Sequence, residues 1–372
     1  MNRHRGAPSS SLAEVADTAK IVVCCGPGGV GKTSVAAALA LGAAERGRRT
    51  CVLTIDPARR LATALGLDEL DNTPRPVPGV DGDLDAMMLD MRRTFDDVVR
   101  RNAPSPDQAD RIMGNPVYDR LASSLGGTQE YMATEKLHEL HTSGKWDLLV
   151  VDTPPTRSAL DFLDAPRRLT ELLDARLGGL ARPAAMLGGF LRGVGLSTAP
   201  IGDLIGRVTG TDLLREVSRL VGSFEGMLGG FKERADKVQQ LLRDDRTMFT
   251  VIATPDEAAL FESAFLAGRL AGDRLRLGGL VVNRVHTAAT VPAVPDAVRQ
   301  RLRGGDPDER VLAGLLDSHA SLAALVTAEQ RRITALLSAA PATGAARVQV
   351  PLLDTDLNDL PGLRTLGTHL LG

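Results

Sequence analysis

Cysteine is scarce in this sequence, and its scarcity argues against two kinds of site. Three cysteines occur among 372 residues, Cys24, Cys25 and Cys51. All three fall in apolar stretches predicted to be buried strands, where the adjacent Cys24 and Cys25 would point to opposite faces. No Cys-x-x-Cys motif is present, so a thiolate zinc site is not expected. The cysteines therefore predict small core side chains in a reducing compartment, not a disulfide framework.

A charge excess and long apolar runs are also lacking. The chain has 44 Lys and Arg against 46 Asp and Glu, a net charge of −2, which argues against a general nucleic-acid or anionic-membrane binder. No uninterrupted apolar stretch approaches ~20 residues, so no transmembrane helix is predicted. The N-terminus has Arg3 and Arg5 but no apolar run of a signal peptide. We therefore expect a cytoplasmic protein.

The most informative stretch is residues 21–41. A short apolar run is followed by Gly26–Thr33, which fits the pattern G-x-x-x-x-G-K-[ST] of a phosphate-binding loop, and then by an Ala-rich helical stretch. Glycines let backbone N–H groups converge on phosphate oxygens, and the following helix N-terminus adds partial positive charge. Lys32 is predicted to reach the outer phosphates and Thr33 to bind Mg²⁺. The predicted nucleotide-binding residues of this loop are Gly28, Gly29, Val30, Gly31, Lys32, Thr33 and Ser34. The alternative is a chance Gly-rich loop.

Two aspartates end predicted strands elsewhere in the chain. Asp56 ends an apolar run that begins at residue 50, and Asp152 ends another that begins at residue 147. In doubly wound sheets, ligands bind at the carboxyl ends of the strands. Asp56 is therefore predicted to orient the attacking water and to lie at the metal, and Asp152 to belong to the Mg²⁺ shell. The alternatives are a turn-initiating Asp before proline for Asp56 and a helix N-cap for Asp152.

Strands and helices alternate along most of the chain. This order predicts an α/β fold, namely a P-loop NTPase with a mostly parallel sheet flanked by helices and a helical insertion. The predicted ATPase core covers residues 19–164 and 246–372. Residues 165–245 contain no clear strand and are predicted to form the helical insertion. The small, polar residues 1–18 are expected to be a flexible tail.

The combined motifs resemble a known family. The loop, Asp56-Pro-Ala58, Asp152-Thr-x-Pro-Thr156 and Leu160-x-Phe-Leu163 with Pro166 are similar to the arsenical pump-driving ATPases. They are equally similar to the targeting ATPases of guided entry of tail-anchored proteins. The resemblance extends over roughly residues 20–290 and again near 347–366.

This resemblance implies further roles. The chain would be an ATPase that uses ATP and Mg²⁺ and acts as a homodimer, or as a heterodimer with a paralogous ATPase. Asp56 and Lys32 would be its catalytic residues, with Asp56 in a mobile switch loop. Asn283 would contact adenine, since its amide offers a donor and an acceptor, and Pro351 would flank the base. For Asn283 a strand-ending turn residue is the alternative.

Three departures from the family pattern carry consequences. Pro27 stands where the family's loop has a lysine that acts across the dimer. Either an arginine replaces that lysine, with Arg59 and Arg157 as candidates, or a partner supplies it, or hydrolysis is slow. An arsenite site needs soft thiolates, and since no cysteine follows Cys51, arsenite is not expected. The cysteine pair that binds zinc at the targeting ATPases' dimer interface is missing, so a zinc ion is not expected either.

The helical insertion leaves two interpretations open. Residues 169–231 are rich in Leu, Met and Phe, and the matching region of the targeting ATPases forms a groove for a client's apolar helix. The insertion would then couple nucleotide state to binding of a protein client or membrane partner. Alternatively, it is a subdomain that buries these residues against itself. As a whole, the chain could instead energise an anion exporter or act as a slow nucleotide-binding regulator.

Overall fold

The structure, a computed structural model, describes residues 11–56, 58–115, 118, 128–155, 228–288, 294–339, 344–354 and 357–372. Most of the predicted insertion lies outside these residues, and so do Pro57 and Arg157. The predicted boundaries of the insertion therefore stay a prediction.

Eight strands form one sheet at the centre of the molecule. The strands are β1 (Ile21–Cys25), β2 (Thr50–Thr54), β3 (Arg75–Pro76), β4 (Leu84–Met88), β5 (Leu148–Asp152), β6 (Thr247–Ala253), β7 (Arg276–Val285) and β8 (Ala346–Pro351). Their order is β3-β4-β2-β5-β1-β6-β7-β8. All neighbours are parallel except β3 and β4. The carboxyl ends of β1, β2, β5 and β7 therefore lie at one edge of the sheet, as the α/β prediction requires.

Helices cover both faces of this sheet. The described helices are α1 (Leu12–Thr18), α2 (Lys32–Glu45), α3 (Arg60–Ala64), α4 (Met91–Asn102), α5 (Pro106–Met113), α6 (Thr128–Ser143), α7 (Leu228–Leu242), α8 (Glu257–Gly272), α9 (Asp296–Arg303), α10 (Pro307–Ala339) and α11 (Leu360–Leu371). Side chains of α1, α2 and α11 form one core with strand residues such as Cys24. Side chains of α6, α7 and α8 form a second core on the opposite face, with Cys25. The fold class and the opposite orientation of the two cysteines are thus confirmed.

The expected flexible tail is wrong for residues 11–18. Ser11 caps α1 by accepting a hydrogen bond from the backbone N–H of Glu14 at 3.2 Å. Leu12 and Val15 lie on one face of the helix and are buried against the sheet core. Their three-residue spacing provides an apolar face that the short, otherwise polar segment can bury.

Helix α10 changes the expectation about transmembrane helices. By length and composition alone, this one helix among the described residues could cross a membrane, because an 18-residue window in it has a mean hydropathy of 1.5. The window contains charged and polar residues, so it is not an uninterrupted apolar run. Only 6% of the window is buried. The later part of α10 does pack in the fold, since Ile333 and Leu336 share a core with Val282 and Val285 of β7.

Candidate active site

The loop between β1 and α2 is shaped by its glycines. Gly26, Gly29 and Gly31 have φ angles of 150°, 78° and 91°, which side-chain-bearing residues rarely adopt. A Cβ on Gly26 would lie 2.1 Å from the backbone oxygen of Ile252 in β6. Gly31 is the N-cap of α2, so the loop delivers its backbone directly to the helix N-terminus. This arrangement is a cradle suited to an anion.

Lys32 lies beneath this loop. Its side chain is buried, and its Nζ donates a hydrogen bond to the backbone oxygen of Pro27 at 2.7 Å. Burial lowers the pKa of the Lys32 ammonium, and the nearby carboxylates of Asp152 and Asp56 oppose that shift. The ammonium is thus held near the loop by a carbonyl contact that a phosphate oxygen could replace.

Asp152 connects β5 with the loop. Its Oδ2 accepts hydrogen bonds from Thr33 Oγ1 at 2.8 Å and from Thr54 Oγ1 at 2.9 Å. Its Oδ1 is buried and has no hydrogen-bond partner. Burial raises the pKa of Asp152 to about 6, although both hydroxyl donors oppose the shift. A buried, half-satisfied carboxylate of this kind needs a further partner.

The donor set around Asp152 fits a magnesium ion. Mg²⁺ binds hard oxygen ligands and usually takes one or two from the protein, with water and substrate phosphates completing its shell. The Thr33 hydroxyl and the unpartnered Asp152 Oδ1 are such oxygens. The structure contains no group of three or more His, Cys, Asp or Glu side chains arranged for a metal within its described ranges. A metal here would therefore depend on the nucleotide for part of its shell.

Asp56 follows β2 on the other side of β5 from the loop. Its backbone N–H donates to Thr54 Oγ1 at 3.2 Å, and its Oδ1 accepts from the backbone N–H of Ala58 at 2.9 Å. These contacts form the turn that was the alternative interpretation of Asp56. Its other oxygen, Oδ2, lies 3.6 Å from the guanidinium of Arg60, whose side chain is 70% exposed. Asp56 thus has a local turn contact and one carboxylate oxygen held only by a solvent-screened partner.

Thr54 is a site residue that the sequence patterns did not reveal. Its hydroxyl donates to Asp152 and accepts from the backbone N–H of Asp56, so it links the two carboxylate-bearing segments. Thr54 is fully buried at the end of β2. Threonine is common in strands because of its β propensity. Its presence in β2 is therefore explained by structure alone, and nothing in the sequence indicated a role in the site.

Arg59, proposed as a substitute for the missing loop lysine, lines a small cavity. The cavity has a volume of about 240 Å³ and is lined by Thr54, Ala58, Arg59, Ala62, Glu69, Leu70 and Met88. Leu70 and Met88 place it on the β4 side of β2, whereas the loop lies toward β1. Within the described residues, Arg59 therefore contributes to a cavity at the end of β2, and its proposed role across a dimer stays a prediction. Arg157 lies outside the described residues.

On the opposite side of the loop, the end of β7 supplies two contacts. Asn283 Nδ2 donates to the backbone oxygen of Val30 at 2.9 Å, and Arg284 donates through a guanidinium nitrogen to the backbone oxygen of Gly29 at 3.1 Å. Asn283 Oδ1 also accepts from the backbone N–H of Arg284 at 3.0 Å. The Asn283 amide is thus bonded to the loop and to its own strand end. Its predicted contact with an adenine base stays a prediction. Arg284 was not recognised from the sequence, although it directly follows Asn283.

The remaining predicted base contact is also near this edge. Pro351 ends β8 and is paired in register with Val285 of β7. It therefore lies beside the strand end that carries Asn283. The structure brings the loop, Thr33, Lys32, Asp152, Asp56, Asn283 and Pro351 to one sheet edge.

Sequence comparisons with known proteins show similarity to a family of ATPases. The sequence model of a family described as anion-transporting ATPase matches residues 19–294. The chain is 27% identical over 264 residues to ATPase GET3 of Phaeosphaeria nodorum, covering 70% of this chain and 74% of that protein. It is 24% identical over 359 residues to ATPase GET3C of Arabidopsis thaliana, covering 92% and 80%. It is 29% identical over 287 residues to ATPase ARSA2 of Chlamydomonas reinhardtii, covering 75% and 72%.

Proposed function

This chain belongs to the anion-transporting ATPase family and is therefore an ATPase, and on that premise we propose that it couples its nucleotide state to binding of a protein client or partner. The carrying observation is the buried Asp152, whose Oδ2 is bonded by Thr33 and Thr54 while Oδ1 has no partner. Such a carboxylate at the mouth of a phosphate cradle fits a nucleotide-bound Mg²⁺. ATP and Mg²⁺ are the proposed ligands, and the cytoplasm is the proposed location.

Each residue of the site has a distinct task in hydrolysis. The loop's N–H groups and the Lys32 ammonium bind the phosphate oxygens and stabilise the charge that develops on them. Thr33 and Asp152 would hold Mg²⁺, which neutralises phosphate charge when bound. Asp56 orients the attacking water through the carboxylate oxygen that faces Arg60. Asn283 and Pro351 hold the base at the ends of β7 and β8.

Nucleotide state reaches a client through the segment after β5. Asp152 is followed within a few residues by the long segment 156–227, and helix α7 returns the chain to the sheet, where Val238 and Leu242 are buried. A change at Asp152 on ATP hydrolysis would move the start of this segment relative to its anchored end. Client affinity changes only if the client binds one of the two conformations better. We propose an apolar helix as the client and two facing subunits, identical or paralogous, as the assembly.

Two substitutions test the ATPase assignment. Lys32→Ala should abolish nucleotide binding because it removes the cation beneath the loop. Asp56→Asn should keep ATP affinity and lose turnover, since an amide cannot hold the attacking water in the same way. Calorimetric titration with ATP and Mg²⁺, together with phosphate release, separates the two effects. Retained ATP affinity in Lys32→Ala would overturn the assignment, and unchanged turnover in Asp56→Asn would remove that residue from its role.

The client proposal needs a separate experiment. The Asp56→Asn protein with ATP should trap a partner, which is then identified after affinity purification. A variant with Met227→Asp and Leu228→Asp should lose capture of a purified apolar helix and keep its ATPase activity, because these positions belong to the insertion. Replacing exposed Phe261 of α8 with Asp provides a control away from the insertion. Equal capture by both variants would contradict a client groove in the insertion.

Two other functions have some support. The family description, anion-transporting ATPase, favours an energising subunit of an anion exporter. That function predicts a membrane partner and anion-stimulated hydrolysis, which phosphate-release assays with added oxyanions would detect. Pro27 favours a regulator with slow turnover, because the family's cross-dimer lysine is missing there. Steady-state turnover of the purified protein, measured with and without a paralogous subunit, distinguishes that possibility.

A further inference from the structure

A buried glutamate of α10 holds the segment that follows β7. Glu329 lies on α10 and is 4% exposed. Its Oε2 accepts a hydrogen bond from the backbone N–H of His286 at 3.0 Å, and its Oε1 lies 2.7 Å from His286 Nδ1. One carboxylate therefore binds both the main chain and the ring of the same residue. We refer to Glu329 and His286 together as the clamp.

The position of Glu329 is costly unless the carboxylate has a defined task. Removing a carboxylate from water is unfavourable, and a well-packed apolar residue in its place is often neutral or stabilising. Its neighbours on the same helix face, Ile333 and Leu336, already pack against Val282 and Val285. The glutamate is thus placed where packing alone calls for another apolar side chain. What it adds is a fixed pair of acceptors for His286.

The clamp lies two residues beyond the contacts with the phosphate-binding loop. Arg284 has a φ of 59°, a left-handed conformation that is unfavourable for a residue with a side chain. Such a conformation persists only when its surroundings fix it. On one side of Arg284, the Asn283 side chain is bonded to the loop. On the other side, the clamp holds the backbone at His286.

The end of β7 also packs closely against the phosphate-binding loop. A Cβ on Gly31 would lie 2.5 Å from Asn283 Nδ2, so there is little free space between the β7 end and the loop. Two successive loop carbonyls, those of Val30 and Gly29, accept from Asn283 and Arg284. When these carbonyls are held, the neighbouring N–H groups keep the orientation that phosphates require.

We propose that Glu329 is a positioning residue of the nucleotide site. Through His286 it holds Asn283 and Arg284 against the phosphate-binding loop, and so keeps the loop organised before ATP arrives. This inference rests on the proposed ATP site. Glu329 should therefore affect ATP affinity and not the chemical step. Asp56 and Asp152, which are proposed to act in that step, follow β2 and β5 on the other side of β1.

The test compares two disruptive variants with a conservative one. Glu329→Ala and Arg284→Asn should each raise the KM for ATP about tenfold and leave kcat within about twofold, the size expected for losing a hydrogen bond to a charged group. Asparagine is chosen at position 284 because it tolerates left-handed backbone. Glu329→Gln should restore KM to within about threefold of the original chain, since its amide oxygen still accepts from His286.

A matched control and a second readout complete the experiment. Gln330→Ala removes a neighbouring side chain of α10 that bonds to Gln349 on β8, and it should leave KM unchanged. Hydrogen exchange of residues 26–33 in the nucleotide-free protein should be faster in Glu329→Ala than in the original chain or the control. If Glu329→Ala does not fold, His286→Ala, which removes the ring contact with Glu329, decides the KM result. An unchanged KM with unchanged exchange, or a loss of kcat alone, overturns the proposal.

These measurements separate the clamp from the proposed function. A chain that neither binds nor hydrolyses ATP contradicts the proposed function, and the exchange experiment then still decides whether Glu329 organises the loop. A chain that hydrolyses ATP normally in all variants, with unchanged exchange, contradicts only the clamp.

Discussion

A single hydroxyl, that of Thr54, joins the two acidic segments of the site. It donates a hydrogen bond to the Asp152 carboxylate and accepts one from the backbone N–H of Asp56. Since the pKa of Asp152 is raised to about 6 by burial, each donor to that carboxylate helps to keep it ionised near neutral pH. At the residue scale, the site therefore depends on a small side chain that links two acidic residues through hydrogen bonds.

Replacing Thr54 with valine tests this role. Thr54→Val keeps the size and β-branched shape but removes the donor, so we expect kcat to fall about tenfold with KM little changed. The Mg²⁺ concentration needed for half-maximal activity should rise, because Asp152 loses a donor to its charged form. Steady-state kinetics at several Mg²⁺ concentrations measure both. Thr54→Ser, which keeps the hydroxyl, should retain most of the activity; a deficit equal to that of valine would contradict the role.

Among the elements, α4, α6 and α7 are tied together by a buried polar network. Glu135 of α6 accepts a hydrogen bond from the hydroxyl of Tyr131 and lies 3.8 Å from the Arg234 guanidinium of α7. Arg234 in turn donates to Asn102 of α4 at 2.6 Å. Helix α7 is the element that follows segment 156–227. The network thus fixes the end of the predicted insertion to the core.

The charge on Glu135 makes this network sensitive to pH. Burial raises the pKa of Glu135 above its ordinary value of 4.5, and the hydrogen bond from Tyr131 and the charge of Arg234 only partly oppose the shift. The folded state then binds a proton that the unfolded state has released. The free energy of unfolding should therefore fall as pH rises from about 4.5 through the raised folded-state pKa.

Glu135→Gln isolates this contribution. The free energy of unfolding of the original chain, relative to that of Glu135→Gln, should decline as pH rises from about 4.5 through the raised folded-state pKa of Glu135. Urea denaturation at successive pH values measures it. Asp147→Asn is the control, because hydrogen bonding to Arg49 lowers the pKa of Asp147 to about 2. The stabilisation from Asp147 is complete above its ordinary value of 3.8 and is lost as pH falls toward about 2. A flat difference for Glu135→Gln would show that Glu135 keeps one protonation state.

At the scale of the molecule, the described part of the chain is held by cores on both faces of one sheet. Phe249 of β6 is 1% exposed and belongs to the core under α6, α7 and α8. Phe261 of α8 is 76% exposed although it is the same residue type in a neighbouring element. Hydrophobic stabilisation follows the apolar area removed from water, so these two phenylalanines differ in their contribution to stability.

Alanine substitution of the two phenylalanines tests the extent of this core. Phe249→Ala should lower the free energy of unfolding by about 3–5 kcal/mol because it leaves a cavity in a packed core. Phe261→Ala should change it by no more than about 0.5 kcal/mol. Urea denaturation of both variants gives the comparison. A large loss for Phe261→Ala would mean that α8 is covered in the assembled protein, and its dependence on protein concentration would identify self-association.

Local patterns in the sequence were sufficient for the fold class and for the phosphate-binding loop. The spacing of Gly26, Gly31 and Lys32 and the two strands that end in aspartate predict a nucleotide site, because each pattern lies within a few residues. The polar composition of residues 1–18 was misleading, since Leu12 and Val15 suffice to dock a short helix. Composition averages over a segment, whereas packing depends on which face of the helix the apolar side chains share.

Only the tertiary structure decided which distant residues complete the loop. Thr54 and Asp152 are 98 residues apart, and Arg284 and Gly29 are 255 apart. These contacts depend on strand order, which places β5 between β1 and β2 and brings β7 beside β6. The sequence by itself predicted a phosphate-binding loop, because the whole pattern lies within residues 26–33. Strand order determined what holds the binding loop in place, because pairing between distant strands is set by the packing of the whole sheet.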